Sequence, residues 1–317
     1  MKKTLTSLVL AVSAVVAYGQ QDPQFSQYIH NKLSYNPGYA GTNQAICAVA
    51  MYRQQWVSFP GAPKTILFGL DAPVLVNSPL HGGAGLTIIS DALGNDKSLF
   101  ARGSYAYHQP IGAGILGIGI EVGMIQKALS FNWIPPDGAS TVGPDASIPD
   151  AAAKAITYDL GFGLYYTTPK LYVGLSSSHL PEQTLKQTTN QLDFKNARHY
   201  YVLAGYDFDI NSSLKLMPSV LVKSDAKSTI FDVNCNVMWN NMVWLGANYR
   251  MTDAIVAQLG FQKVSEKMAW KVGYSYDITM SDLKNHSNNT HEVVLGYCIK
   301  LVKKVKRQSH INPRFLK

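Results

Sequence analysis

The glycine run Gly112-Ala113-Gly114-Ile115-Leu116-Gly117 matches G-x-G-x-x-G. A dinucleotide site needs those glycines between a strand and a helix N-terminus, where backbone amides meet a pyrophosphate. Past Gly117 the apolar residues go on alternating with glycines, so no helix opens and the match is rejected. Neither H-E-x-x-H nor G-x-S-x-G occurs. His179 and His199 flank the connection 179–196, and His81, His286 and His291 lie in other connections. Histidines scattered in this way, without paired spacing, read as solvated loop residues, and no metal or cofactor is expected. Three cysteines, Cys47, Cys235 and Cys298, are far apart and odd in number. They suggest neither a metal site nor a disulfide framework. No catalytic set emerges, and an enzyme is not expected.

The elements that carry these residues are strands. In Leu116-Gly117-Ile118-Gly119-Ile120-Glu121-Val122-Gly123-Met124 every second residue is large and apolar. A strand repeats every two residues, so the bulk falls on one face and Gly or Glu on the other. Glycine weakens a strand unless a backbone must pass close by. Segments of this kind recur from residue 45 to residue 302. Apolar-out and small-or-polar-in over about ten residues is the pattern of a transmembrane β-barrel. Arg53, Asp71, Arg102, Glu121, Asp159, Asp207, Asp232, Arg250 and Asp277 then face the lumen, where opposite charges are expected to pair.

The start of the chain agrees with export. Lys2 and Lys3 precede an apolar stretch from Leu5 to Val16, and Ala17-Tyr18-Gly19 supplies small residues for cleavage. Residues 1–19 read as a signal peptide. No later run is long enough for a membrane helix. The net charge of +8 comes from the leader and from a basic tail after Val302, and the body between them is balanced. A nucleic-acid role is improbable for an exported protein with a neutral body.

Strands are expected at 45–57, 64–72, 82–90, 98–109, 114–127, 156–167, 170–178, 197–210, 213–223, 228–239, 242–251, 254–263, 267–278 and 291–302. These make about fourteen strands of one closed antiparallel barrel, an even number as such barrels require. Short turns such as Thr168-Pro169 and Asn240-Asn241 fall on one side of the alternation. The long connections 128–155, 179–196 and 279–290 fall on the other. Short turns mark the periplasm, so both termini are expected there. Residues 20–44 read as a periplasmic entry segment or plug, and 303–317 as a basic periplasmic tail. Tyrosines at strand ends, among them Tyr165, Tyr166, Tyr200 and Tyr201, suit an interfacial girdle.

Several stretches together resemble one family. They are Gln21-Asp22-Pro23-Gln24-Phe25-Ser26-Gln27-Tyr28, Tyr35-Asn36-Pro37-Gly38-Tyr39-Ala40-Gly41, the run Tyr52 to Pro63, Tyr105-Ala106-Tyr107, His199-Tyr200-Tyr201, Trp244 to Arg250, Gly273 to Asp277 and His291-Glu292. The chain resembles the PorP/SprF outer-membrane proteins of the Bacteroidetes over its whole mature length. Gly38 departs from the family's usual alanine. The resemblance implies a non-enzymatic barrel at the cell outer membrane that serves type IX secretion or gliding. Its implied partners are membrane lipid, a secreted adhesin, and secretion components including periplasmic lipoproteins. A porin or hydrophobic-solute transporter is the alternative. The family motif at the start includes Asp22, Pro23, Gln24, Phe25, Asn36 and Pro37. Candidate partner-binding residues are Arg53, Gln55, Trp56, Phe59, Gly61 and Pro63 at the first outer rim, with Arg314 and Phe315 in the tail. Trp56 and Phe59 fit a docking surface or the girdle equally.

Overall fold

The alternation read from the sequence is the alternation in space. In β5 (Gly114–Leu129) Ile120 is 54% exposed on the lipid face while Glu121 is 5% exposed on the lumen face. The computed structural model describes residues 22–74, 81–129, 153–186, 193–251, 253–281 and 287–301. The expected signal peptide, the basic tail with Arg314 and Phe315, and most of the 128–155 connection lie outside the described residues. No helix among the described residues is long and apolar enough to cross a membrane.

Fourteen strands form one closed antiparallel wall. In chain order they are β1 (Ala45–Gln54), β2 (Lys64–Val74), β3 (Gly82–Leu93), β4 (Asp96–Ile111), β5, β6 (Ala153–Thr167), β7 (Leu171–Ser178), β10 (His199–Tyr206), β12 (Leu214–Ser224), β13 (Thr229–Trp239), β14 (Val243–Arg250), β15 (Ala254–Val264), β16 (Met268–Thr279) and β17 (Thr290–Lys300). Each pairs with its neighbour, β10 pairs with β12, and β1 pairs with β17 to close the ring. A closed ring satisfies every wall amide and carbonyl where lipid offers no partner. The two-residue β11 (Phe208–Asp209) continues the β10 edge beside β12. β8 (Thr184–Lys186) and β9 (Asp193–Lys195) form a separate small hairpin in the connection after β7.

The seam carries a feature absent from the sequence reading. Cys47 of β1 and Cys298 of β17 are register partners, and their sulfurs form a disulfide. The expectation of three unpaired strand cysteines is therefore corrected. It holds for Cys235, which is free and exposed.

Residues 22–44 do not hang below the barrel. They fill it, with a single helical turn, α1 (Lys32–Tyr35), and two 3-10 turns, at Tyr28–His30 and Pro37–Tyr39. Phe25, Tyr28 and Tyr35 pack into an inner apolar belt with Met51, Leu67, Phe100, Ile125, Leu203 and Val294 of the wall. Burying one such side chain contributes roughly 1.5–3 kcal/mol, so the belt holds the plug apart from any polar contact. Asp22 lies against His179 and Lys223, at the outer ends of β7 and β12. The described chain thus begins inside the lumen, beside the end of the wall that carries His179 and Lys223. From there it descends to Gly41, whose amide donates to Asp71 at 3.1 Å, and turns up into β1.

Candidate functional site: the plugged lumen and its outer rim

The plug lies against a wall made thin by glycine. A Cβ on Gly117 would stand 2.0 Å from the Gly38 carbonyl oxygen, and one on Gly119 2.3 Å from the Gly38 nitrogen. Gly83 meets the Ala40 carbonyl in the same way, and Gly163 meets the Asn36 side chain. The lumen-facing glycines are spaced for a second backbone. Asn36 then ties that backbone down. Its Nδ2 donates to the carbonyls of Leu164 (2.9 Å) and Leu175 (3.1 Å), and its Oδ1 accepts from Gly38 N. Pro37, buried, starts the 3-10 turn that presents Gly38.

Two polar latches hold the upper plug. The first is centred on Ser26. Its amide and that of Gln27 donate to the two carboxylate oxygens of Glu292, each at 2.8 Å. Its hydroxyl donates to Asp277 and accepts from Arg53 at 2.6 Å. Its carbonyl accepts from Asn248 and Gln258. Arg53 also pairs with Glu292 and Asp277, both at 2.9 Å, while Arg250 pairs with Asp232 at 2.9 Å. The expectation that lumenal charges pair is met for Arg53, Arg102, Glu121, Asp159, Asp232, Arg250 and Asp277, with the plug as third party, whereas Asp71 holds the Gly41 amide instead. Arg53 is 1% exposed and faces the plug, so the rim itself does not present it.

The second latch is centred on Asp22. His179 lies between Asp22 (Nε2 to Oδ1, 2.9 Å) and Asp159 (Nδ1 to Oδ1, 3.0 Å). Tyr201 donates to the other Asp22 oxygen, Lys223 to its carbonyl at 2.6 Å, and Arg102 approaches Asp159 at 3.3 Å. Burial alone would raise the Asp22 carboxyl, but the neighbouring His179 and His199 hold it well below the usual carboxylate range. Burial likewise opposes a charge on His179, and Asp22 with Asp159 overrides it, pushing the imidazole up to about 9. His179 and His199 are buried together, not solvated as their scatter in the sequence suggested. His291 is a β17 residue whose ring meets the Tyr274 hydroxyl. Tyr165 and Tyr201 are corrected as well. They point inward and bed the plug through Tyr39 and Tyr35, while Tyr200 faces lipid.

The rim residues form a braced loop. Gln55 N donates to Pro63 O at 3.0 Å, closing the β1–β2 connection. Gly94 N donates to Gly61 O at 2.8 Å, and Val57 exchanges backbone hydrogen bonds with Asn288 and Asn289. Trp56 has φ +45 and Gly61 φ +76, backbone turns that shape the loop. Trp56 is half-buried, with its amide on Thr290, Pro63 is buried, and Phe59 is 41% exposed. Of the N-terminal motif, Asp22, Phe25, Asn36 and Pro37 are buried and Pro23 and Gln24 half-buried.

No curated protein sequence matches the chain. Among solved structures it is similar to the Acinetobacter baumannii outer membrane protein Omp33 (7% identity, 81% of this chain and 99% of that one, TM-score 0.41). It is also similar to the Pseudomonas putida toluene transporter TodX (11%, 85% and 93%, TM-score 0.49) and to the translocator domain of the Neisseria meningitidis autotransporter NalP (12%, 87% and 96%, TM-score 0.41). A family model described as type IX secretion system membrane protein PorP/SprF matches residues 17–297. The chain belongs to the PorP/SprF family of type IX secretion system membrane proteins and is a barrel of the outer membrane.

Proposed function

We propose that this protein is a non-enzymatic docking barrel, which holds a secreted adhesin or another component of the secretion machinery at the outer membrane. The observation that carries this reading is the braced β1–β2 connection. It is fixed on one side by Gly94 and on the other by Asn288 and Asn289, and it presents Phe59 outward. A rigid loop loses little freedom when a partner seats on it, and exposed aromatic side chains are the usual anchors of such contacts. The lumen supports the same reading. Its charged groups are engaged in holding the plug, whereas a porin lines an open passage with rings of charge.

Phe59→Ala and Trp56→Ala should each reduce surface display of the partner several-fold, with the barrel still inserted. The wild-type protein in a planar bilayer should carry no sustained ionic current. Normal display by both assembled variants would count against docking at this rim, and a steady current would favour transport.

A further inference from the structure

Asp22, His179 and His199 come from the plug, from the residue after β7, and from the start of β10. All three are buried, and one donor atom from each lies within 4.8 Å of the other two. Metal-binding histidines characteristically donate one ring nitrogen to a carboxylate or a backbone carbonyl, which fixes the tautomer and turns the other nitrogen to the ion. Both histidines are held in this way. His179 Nδ1 faces Asp159 Oδ1 at 3.0 Å, and His199 Nδ1 lies 3.0 Å from the Ala197 carbonyl. A carbonyl only accepts, so His199 carries its proton on Nδ1 and Nε2 keeps its lone pair. Asp22 is oriented too, because Tyr201 donates to its second oxygen.

We propose that Asp22, His179 and His199 form a divalent-metal site that ties the plug to the barrel wall. Two imidazoles and one carboxylate suit zinc, which takes nitrogen and oxygen ligands at about 2.0–2.2 Å in tetrahedral geometry. Tetrahedral bonds of that length set neighbouring donors about 3.3 Å apart. Asp22 Oδ1 and His179 Nε2 are 2.9 Å apart along a hydrogen bond, so the ion would replace the shared proton, the Asp22 carboxylate swinging aside and His199 closing in from within 4.8 Å. Charge favours a cation here. Once His179 gives up its proton to become a ligand, Asp22, Asp159 and Glu121 face only Arg102 and Lys223, so a cation is needed in the place of that proton. The ion would join three elements distant in sequence, and the plug could not leave the lumen without losing a ligand.

The test uses the purified full-length barrel in detergent, stripped with a chelator and titrated with zinc chloride. Calorimetry should show about one equivalent bound with sub-micromolar affinity, and bound zinc should slow trypsin cleavage after Lys32. His199→Gln should weaken binding by more than roughly tenfold, and His179→Gln with His199→Gln should abolish it. If the double variant fails to assemble, His199→Gln alone decides, since assembly is scored separately by heat-modifiable migration. Cobalt(II) chloride offers a second readout, the visible bands of a tetrahedral site in the wild type that fade in His199→Gln. Absence of zinc binding by assembled wild type, or equal binding by wild type and assembled variants, overturns the site. His179 then acts as an imidazolium clamped between Asp22 and Asp159.

Discussion

Gly38 of the plug and Gly117 of β5 stand backbone to backbone, with no room for a side chain on either: a Cβ on Gly38 would fall 2.7 Å from Gly117 O, and one on Gly117 2.0 Å from Gly38 O. The closeness of β5 leaves no space for even a methyl group at Gly38. Overfilling such a contact costs about 1–3 kcal/mol. Gly117→Val should therefore lift residues 36–41 off the wall, speed trypsin cleavage after Lys32, and raise bilayer conductance. Wild-type protease resistance in that variant would show that the contact does not seat the plug.

Arg53→Ala should be among the most damaging single changes. It leaves Asp277 and Glu292 buried with less compensating charge and removes a donor to Ser26. Breaking a buried pair by deleting one partner costs about 3–5 kcal/mol. Denaturant unfolding in micelles measures this. Adding Glu292→Gln should cost less in the Arg53→Ala background than in the wild type, because the two side chains interact directly. Strict additivity would contradict the latch.

Asn36→Ala removes two hydrogen bonds to wall carbonyls and the acceptor for Gly38 N. Leaving such buried groups unpaired costs about 1–3 kcal/mol. Amide exchange at Gly38 should accelerate, while exchange in β13–β15, far from Asn36, should not. Uniform acceleration around the barrel would indicate global loosening and not local release of the plug.

Lys32 gives the plug a pH dependence. Its ammonium lies 3.5 Å from the centre of the Tyr172 ring, and burial first, then Lys271, push it down from 10.5 to about 7. Between those values the unfolded chain binds a proton that the folded chain does not, so stability rises with pH across that window. Thermal unfolding should shift upward from pH 7 toward pH 10 in the wild type, and Lys32→Met should flatten that part of the curve. An unchanged slope in Lys32→Met would assign the dependence to other groups.

The wall was legible because a period of two, once a face is apolar, leaves strand identity little freedom. The fourteen wall strands fall within a few residues of the expected segments, while the small β8–β9 hairpin lies in a stretch expected to be a connection. Even the plug had a trace in the sequence: Gly117 and Gly119 mark the lumen face on which its backbone lies. The parity of each strand also held information left unused. Tyr165 and Tyr166, or Tyr200 and Tyr201, are adjacent, so only one of each pair can face lipid. Arg53 shares the parity of the buried Met51, which places it in the lumen as expected and takes it off the rim surface. What stayed hidden depends on closure of the ring. Cys47 meets Cys298 across 251 residues, and Asp22 meets His179 across 157, because first and last strands and the plug share one lumen. Local periodicity carries no record of such distances.

The bond at the seam has a consequence for traffic. β1 and β17 are joined by a ladder from Ala45–Lys300 to Gln54–His291 and by one covalent link between Cys47 and Cys298. A barrel whose first and last strands part can release a passenger sideways into the bilayer. Here that gate is bolted wherever thiols are kept oxidised, as they are outside the inner membrane. Parting β1 from β17 would first require that bond to be reduced, so the ring stays closed at its seam as long as Cys47 and Cys298 are joined.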